Sequence, residues 1–117
     1  MLKEKIEILK LRRKGIKLLK IDNFILTYYR ERINNNKDKS VLDTRKCLTR
    51  NYILGKEIYR NKNLVIRSYG NLDITVDLKK FRVVNLENHK GDKQGWINKE
   101  EKERLNKLFN IRGEING

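Results

Sequence analysis

The chain has 117 residues, with 29 Lys and Arg against 15 Asp and Glu, and carries a formal net charge of +14. That length sets a single domain over 1–117, able to bury roughly two-thirds of its unfolded surface without covalent staples. The lone Cys47 excludes an internal disulfide, and with His89 as the sole histidine there is no four-ligand zinc spacing, so neither a metal nor a cofactor is expected.

No run of 18 apolar residues offers a membrane span, and Met1 to Leu26 is interrupted by charge too often for a signal peptide; the expected setting is the reducing cytoplasm. The positive charge is uneven. Met1 to Arg67 holds 19 basic and 7 acidic residues, whereas Ser68 to Gly117 holds 10 and 8. Lys, Asn, Ile and Leu make up 60 of the 117 residues while Ala and Pro are absent, the bias of an AT-rich genome. Codon drift therefore accounts for part of the lysine, but the 11 arginines and the two-to-one basic excess point beyond drift, to a polyanionic partner.

In chain order, Leu2 to Lys14 reads as a helix on the spacing of Leu2, Ile6 and Leu9, with Gly15 placed to end it. Ile8, Leu11, Gly15, Leu18, Ile21, Ile25, Tyr29 and Ile33 keep steps of three and four, so the pattern predicts a basic helical part over 1–33 broken at Gly15. A competing reading makes 16–33 a hairpin, Ile16 to Ile21 and Phe24 to Ile33, turning at Asp22-Asn23, because Phe24 to Tyr29 suit strands. The run 34–39 is a polar loop. Ser40 caps a helix over 40–54, with Val41, Arg45, Leu48 and Tyr52 on one face.

From Glu57 the period changes to two, and residues 57–86 predict an antiparallel meander of three or four strands with a two-residue turn at Gly70-Asn71. Residues 87–94 form a polar loop. Asn98, with Glu101 three residues on, opens a last helix over 98–110 that Ile97, Leu105, Leu108 and Phe109 would hold against the sheet, with Trp96 as its anchor. The fold class expected is α+β: N-terminal basic helices, an antiparallel three- to four-stranded meander and a C-terminal helix.

The basic positions Lys10, Arg12, Arg13, Lys14, Lys17 and Lys20 surround Gly15, and Arg30, Arg32, Arg45, Lys46, Arg50, Arg60 and Arg67 follow on later elements. Long cations of this kind grip phosphates, Arg with two parallel hydrogen bonds. Tyr28, Tyr29, Tyr59 and Tyr69 lie among them and are candidates for stacking on bases, as single-strand binders do. Helix, glycine turn, helix over Ile6 to Ile33 also has the length of a helix-turn-helix, although bulky Leu18 and Leu19 stand where that motif wants small residues.

Catalysis is not expected. Asp73, Asp77, Glu87, Asp92 and His89 are the available acids and base, with Asp73 and Asp77 on one face of a strand, and Arg67 or Arg82 across the meander balances them equally well. The reading is a non-catalytic basic protein that binds nucleic acid or a ribonucleoprotein through its N-terminal half. Two alternatives stand beside it. One is a phage or mobile-element inhibitor of a host defence complex, of the anti-CRISPR type, gripping an acidic protein surface or a guide RNA. The other is a structural RNA-binding protein of ribosomal type. A homodimer through the apolar face of Leu2 to Lys14 is a further expectation.

Overall fold

The computed structural model describes residues 2–33, 36–89 and 98–111. Its elements run α1 (Leu2–Arg13), α2 (Asn23–Arg32), α3 (Val41–Leu54), β1 (Lys56–Arg60), β2 (Leu64–Tyr69), β3 (Leu72–Asp77), β4 (Arg82–Asn88) and α4 (Lys99–Phe109). The α+β class and the meander, an antiparallel sheet in the order β1-β2-β3-β4, are as the sequence predicts.

Helix α1 stops at Gly15 for a local reason. Ile16 N–H bonds to the Leu11 carbonyl at 3.0 Å and Gly15 N–H to that of Arg12 at 2.9 Å, with Gly15 at φ +82°. This is the Schellman arrangement, which needs a left-handed residue that glycine adopts without a Cβ penalty. Leu11 and Ile16 close it by packing in one apolar cluster.

The helix does not restart directly after Gly15, so the helical reading of 16–33 holds over Asn23–Arg32 and is corrected over 16–22, while the hairpin reading is corrected throughout. Residues 16–22 lie outside helix and strand, with a single β-bridge at Lys20 and extended backbone at Asp22. Lys20 N–H donates to the Phe81 carbonyl and Val83 N–H to the Lys20 carbonyl, at 3.0 and 2.9 Å, laying the segment parallel to the start of β4. Asp22, expected in a hairpin turn, instead caps α2 by accepting from Ile25 N–H at 2.9 Å. Ile25, Leu26 and Tyr29 are buried while Phe24 is 67 % exposed, a helical period that overrides the strand propensity of this stretch. The connection from Gly15 to Asp22 is also far too long for a helix-turn-helix.

Helix α3 begins at its expected cap, Ser40, which accepts from Asp43 N–H at 3.0 Å. It is not a one-faced helix. Nine of its residues are buried, Lys46, Arg50, Asn51, Thr44 and Thr49 among them, and Val41, expected on the core face, is exposed. Leu48 and Cys47 meet the sheet and α2 through Ile25, Tyr29, Val65, Ile74 and Val83. On its other side Leu42 joins Leu11, Ile16, Leu18, Leu105 and Phe109.

Helix α4 therefore packs on α3 and the end of α1 rather than on the sheet, which corrects the expected placement. Its Asn98 cap accepts from Glu101 N–H as predicted. Ile97, Trp96 and Asp92 lie outside the described residues. At the far end of α3, Gly55 has no room for a side chain: a Cβ there would stand 3.0 Å from the Asn51 carbonyl and 3.1 Å from the Arg67 Cβ.

A helix buried on two sides must satisfy its charges internally. The Lys46 ammonium pairs with Glu7 of α1 and reaches the Asn110 carbonyl at 3.5 Å. Arg50 bonds to the Asn51 side-chain oxygen at 2.9 and 2.6 Å and to that of Asn106 at 2.8 Å, and its guanidinium lies 5.8 Å from the Tyr69 ring. The expected placement of Lys46 and Arg50 on a binding surface is thus corrected, since both are internal fasteners.

Replacing Arg50 by Ala leaves the Asn51 and Asn106 oxygens without that donor and should cost about 3 kcal/mol, read by urea unfolding. Glu7 behaves differently with pH. The hydrogen bond from Lys46, ahead of its charge, holds the Glu7 carboxyl below its ordinary value of 4.5. Its stabilisation is therefore full above that value and is lost as pH falls through the depressed one. Wild type should lose more stability than Glu7→Gln between about pH 5 and pH 3, measured by thermal melts.

Candidate nucleic-acid interface

Lys10, Arg12, Arg13, Lys14, Lys17 and Lys20 are all exposed around the Gly15 turn. Part of their placement is structural, because Lys10, Arg12 and Arg13 fill the last turn of α1, where cations complement the helix dipole. Arg45 braces the segment that follows. It donates to the Leu19 carbonyl at 2.8 Å and to the Leu18 carbonyl at 3.3 Å, while Leu19 N–H bonds to Thr49 Oγ1 at 2.9 Å. Burial first, then the nearby charge of Arg12, lowers the Arg45 pKa from its usual value.

The bridge between Lys20 and Arg82 brings a second group of cations to this segment. Lys79, Lys80 and Arg82 are exposed at the β3–β4 turn, whose shape is set by Asp77 accepting from the Lys79 and Lys80 N–H groups at 2.9 and 3.1 Å. Phe81 sits at φ +51°, a conformation costly for a large residue. It directs its carbonyl to Lys20 and packs its ring against the core, with the Lys17 ammonium 5.3 Å above it.

The neighbouring turn is drawn to the same end of the sheet by Leu78 N–H bonding to the Asn63 carbonyl at 2.9 Å, which adds exposed Lys62. Sequence reasoning missed Lys62, Lys79, Lys80 and Arg82 as a group. The one linear signal was the Lys79-Lys80 pair with Arg82 two positions on.

The remaining candidates are dispersed. Arg30 is half-buried and bonds to the Lys39 carbonyl at 2.9 Å, and exposed Arg32 lies 5.8 Å from the Tyr28 ring. Arg60 is exposed and pairs with Glu57 at 2.7 Å, a hydrogen bond that raises the Arg60 pKa and lowers that of Glu57. Arg67 stacks 4.2 Å from the Tyr52 ring and donates to the Tyr52 carbonyl at 2.9 Å, closing the C-terminal end of α3.

Of the stacking candidates, Tyr29 and Tyr69 are buried at 0 % and 4 % exposure and so offer no ring face to a base. They sit inward because the core of this small domain takes the large rings. Tyr28 is half-buried, its hydroxyl accepting from Asn88 N–H at 2.9 Å. Tyr59 alone of the four is broadly exposed, on the edge strand β1. Phe24, read from the sequence only as a strand former, is an exposed ring four residues after Lys20.

Among the acids, Asp77 is occupied with the β3–β4 turn. Asp73 instead meets Glu87 and His89, with one ligand atom of each lying within 4.8 Å of the other two. No helix among the described residues is long and apolar enough to cross a membrane.

The YorE family model matches residues 19–109. The chain belongs to the YorE family. No curated protein and no solved structure matches it. The match takes in the bridged segment from Leu19, α2, α3, the sheet and α4, and leaves out α1 and the Gly15 turn. Within this YorE domain, then, Lys20, Lys62, Lys79, Lys80 and Arg82 form the part of the basic surface that the family model covers.

Arg45→Ala should free the bridged segment while leaving α3 helical. Amide exchange at Leu19 and Lys20 should accelerate about tenfold, the value of one charged hydrogen bond, as read by hydrogen-exchange NMR.

Proposed function

We propose that this protein is a non-catalytic binder of nucleic acid, alone or in a ribonucleoprotein, that neutralises phosphates along a continuous basic surface. The observation that carries the reading is the pairing of Lys20 with Arg82, which joins the cations around Gly15 to those at the β3–β4 turn. Such a surface positions a backbone without reading bases, so affinity depends on salt more than on sequence. Exposed Phe24, four residues after Lys20 in the chain, supplies one ring on which a base could stack.

A second reading is favoured by the family. The YorE name is of a phage-like kind, which supports a small phage-related protein. The same cations would then grip an acidic patch or guide RNA of a host defence complex as an inhibitor of the anti-CRISPR type, in the host cytoplasm. The ribosomal reading draws less support, because the described cations sit on folded elements and tight turns.

Fluorescence anisotropy with labelled single-stranded and duplex DNA and RNA across a salt series tests the proposal. The logarithm of affinity should fall linearly with log salt by several charges. Arg12, Arg13 and Lys17 replaced together by Glu, and separately Lys79, Lys80 and Arg82 replaced by Glu, should each weaken binding by more than about 100-fold at low salt, while Lys99→Glu on α4 should not. Weak binding of the wild type to all four ligands would discard the nucleic-acid reading in favour of a protein target.

A further inference from the structure

Asp73 on β3 and Glu87 on β4 are direct cross-strand partners, so two carboxylates face each other across one rung of the sheet. Like charges in that position destabilise a sheet unless a cation lies between them. His89 follows Glu87 by two residues and turns to the same face. Its Nε2 stands 2.8 Å from Asp73 Oδ2 and 4.0 Å from Glu87 Oε2, and the three ligand atoms all lie within 4.8 Å of one another.

A second observation concerns the other Asp73 oxygen. The side chain is only 12 % exposed, and Oδ1 is closed off from solvent with no hydrogen-bond partner among the described residues. A buried carboxylate oxygen without a donor is unfavourable, and a nearby divalent charge offsets that cost.

From these we infer that Asp73, Glu87 and His89 form a binding site for a first-row divalent metal ion of the zinc type. Ligands about 2.0–2.2 Å from a tetrahedral ion lie roughly 3.5 Å apart, between the separations seen here. Glu87 is 63 % exposed and swings inward without disturbing the core. An imidazole nitrogen with two carboxylate oxygens suits zinc over magnesium, which prefers an all-oxygen octahedron.

The site's role is a clamp. It ties β3 to β4, and His89 N–H already bonds to the Asn71 carbonyl in the β2–β3 turn at 2.7 Å, so the ion locks that end of the sheet. This end is opposite the basic turns, and the inference stands apart from nucleic-acid binding. The competing arrangement is a protonated His89 bridging the two carboxylates with no metal.

The test is calorimetric titration of the chelator-treated full chain with Zn²⁺ at about pH 7.5, repeated with Mg²⁺, on wild type, Glu87→Gln and His89→Gln. Zinc should bind wild type at one saturable site and raise its melting temperature, each variant should bind at least roughly tenfold more weakly, and Mg²⁺ should give no saturable heat. Circular dichroism checks that the variants fold, as the exposure of Glu87 predicts. In NMR spectra the amides of Asp73, Glu87 and His89 should shift with zinc. No saturable binding by wild type, an unchanged melting temperature, or undiminished binding by both variants would overturn the site and leave the imidazolium bridge.

Discussion

The structure turns on a helix that is buried from both sides and still carries charge. Helix α3 contributes to both apolar clusters, Cys47, Leu48 and Tyr52 to that of the sheet and α2 and Leu42 to that of α1 and α4. Burying Lys46 and Arg50 in that position is unfavourable unless each charge is paired and fully hydrogen-bonded. Besides Asn51 on α3 itself, the partners come from other elements: Glu7 from α1, Asn106 from α4 and the carbonyl of its cap Asn110, and the Tyr69 ring from β2. Docking of the outer helices is thereby coupled to the electrostatics of the middle one. Such pairing adds specificity of arrangement, because sliding α1 or α4 by one turn would strand a charge.

A second coupling runs through the segment 16–22. Once the Gly15 turn has reversed the chain, Leu18 and Leu19 enter the core and their carbonyls are met by Arg45, leaving Lys17 and Lys20 outward. Their neighbours across the parallel bridge are the cations of the β3–β4 turn. Repulsion within such a surface is tolerable in salt and is relieved by a polyanion, which connects the packing of this segment to the proposed binding. The family match begins within the segment, at Leu19, and does not take in α1 and its cations.

The two ends of the sheet have different chemistry. At one, the β1–β2 and β3–β4 turns gather Lys62, Lys79, Lys80 and Arg82; at the other, the β2–β3 turn and the end of β4 gather Asp73, Glu87 and His89. An antiparallel meander makes this possible because alternate turns fall at opposite ends, and residues distant in sequence meet across a rung.

Local rules were legible in the sequence: the Ser40 and Asn98 caps, the glycine stop after α1, and the period-two strands with their Gly70-Asn71 turn depend on neighbours a few residues apart. The overall charge and its bias to the first 67 residues were equally plain. Tertiary structure decided the rest. Whether Phe24 to Tyr29 became helix or strand depended on what Ile25 and Tyr29 could pack against, and a period-based reading cannot see the second burying face that turned Lys46 and Arg50 inward. Pairing of Lys20 with Arg82, and of Asp73 with Glu87 and His89, joins residues 14 to 62 positions apart. Composition and local pattern determine which elements form and how charged the surface is, whereas long-range packing alone determines which charges share a face.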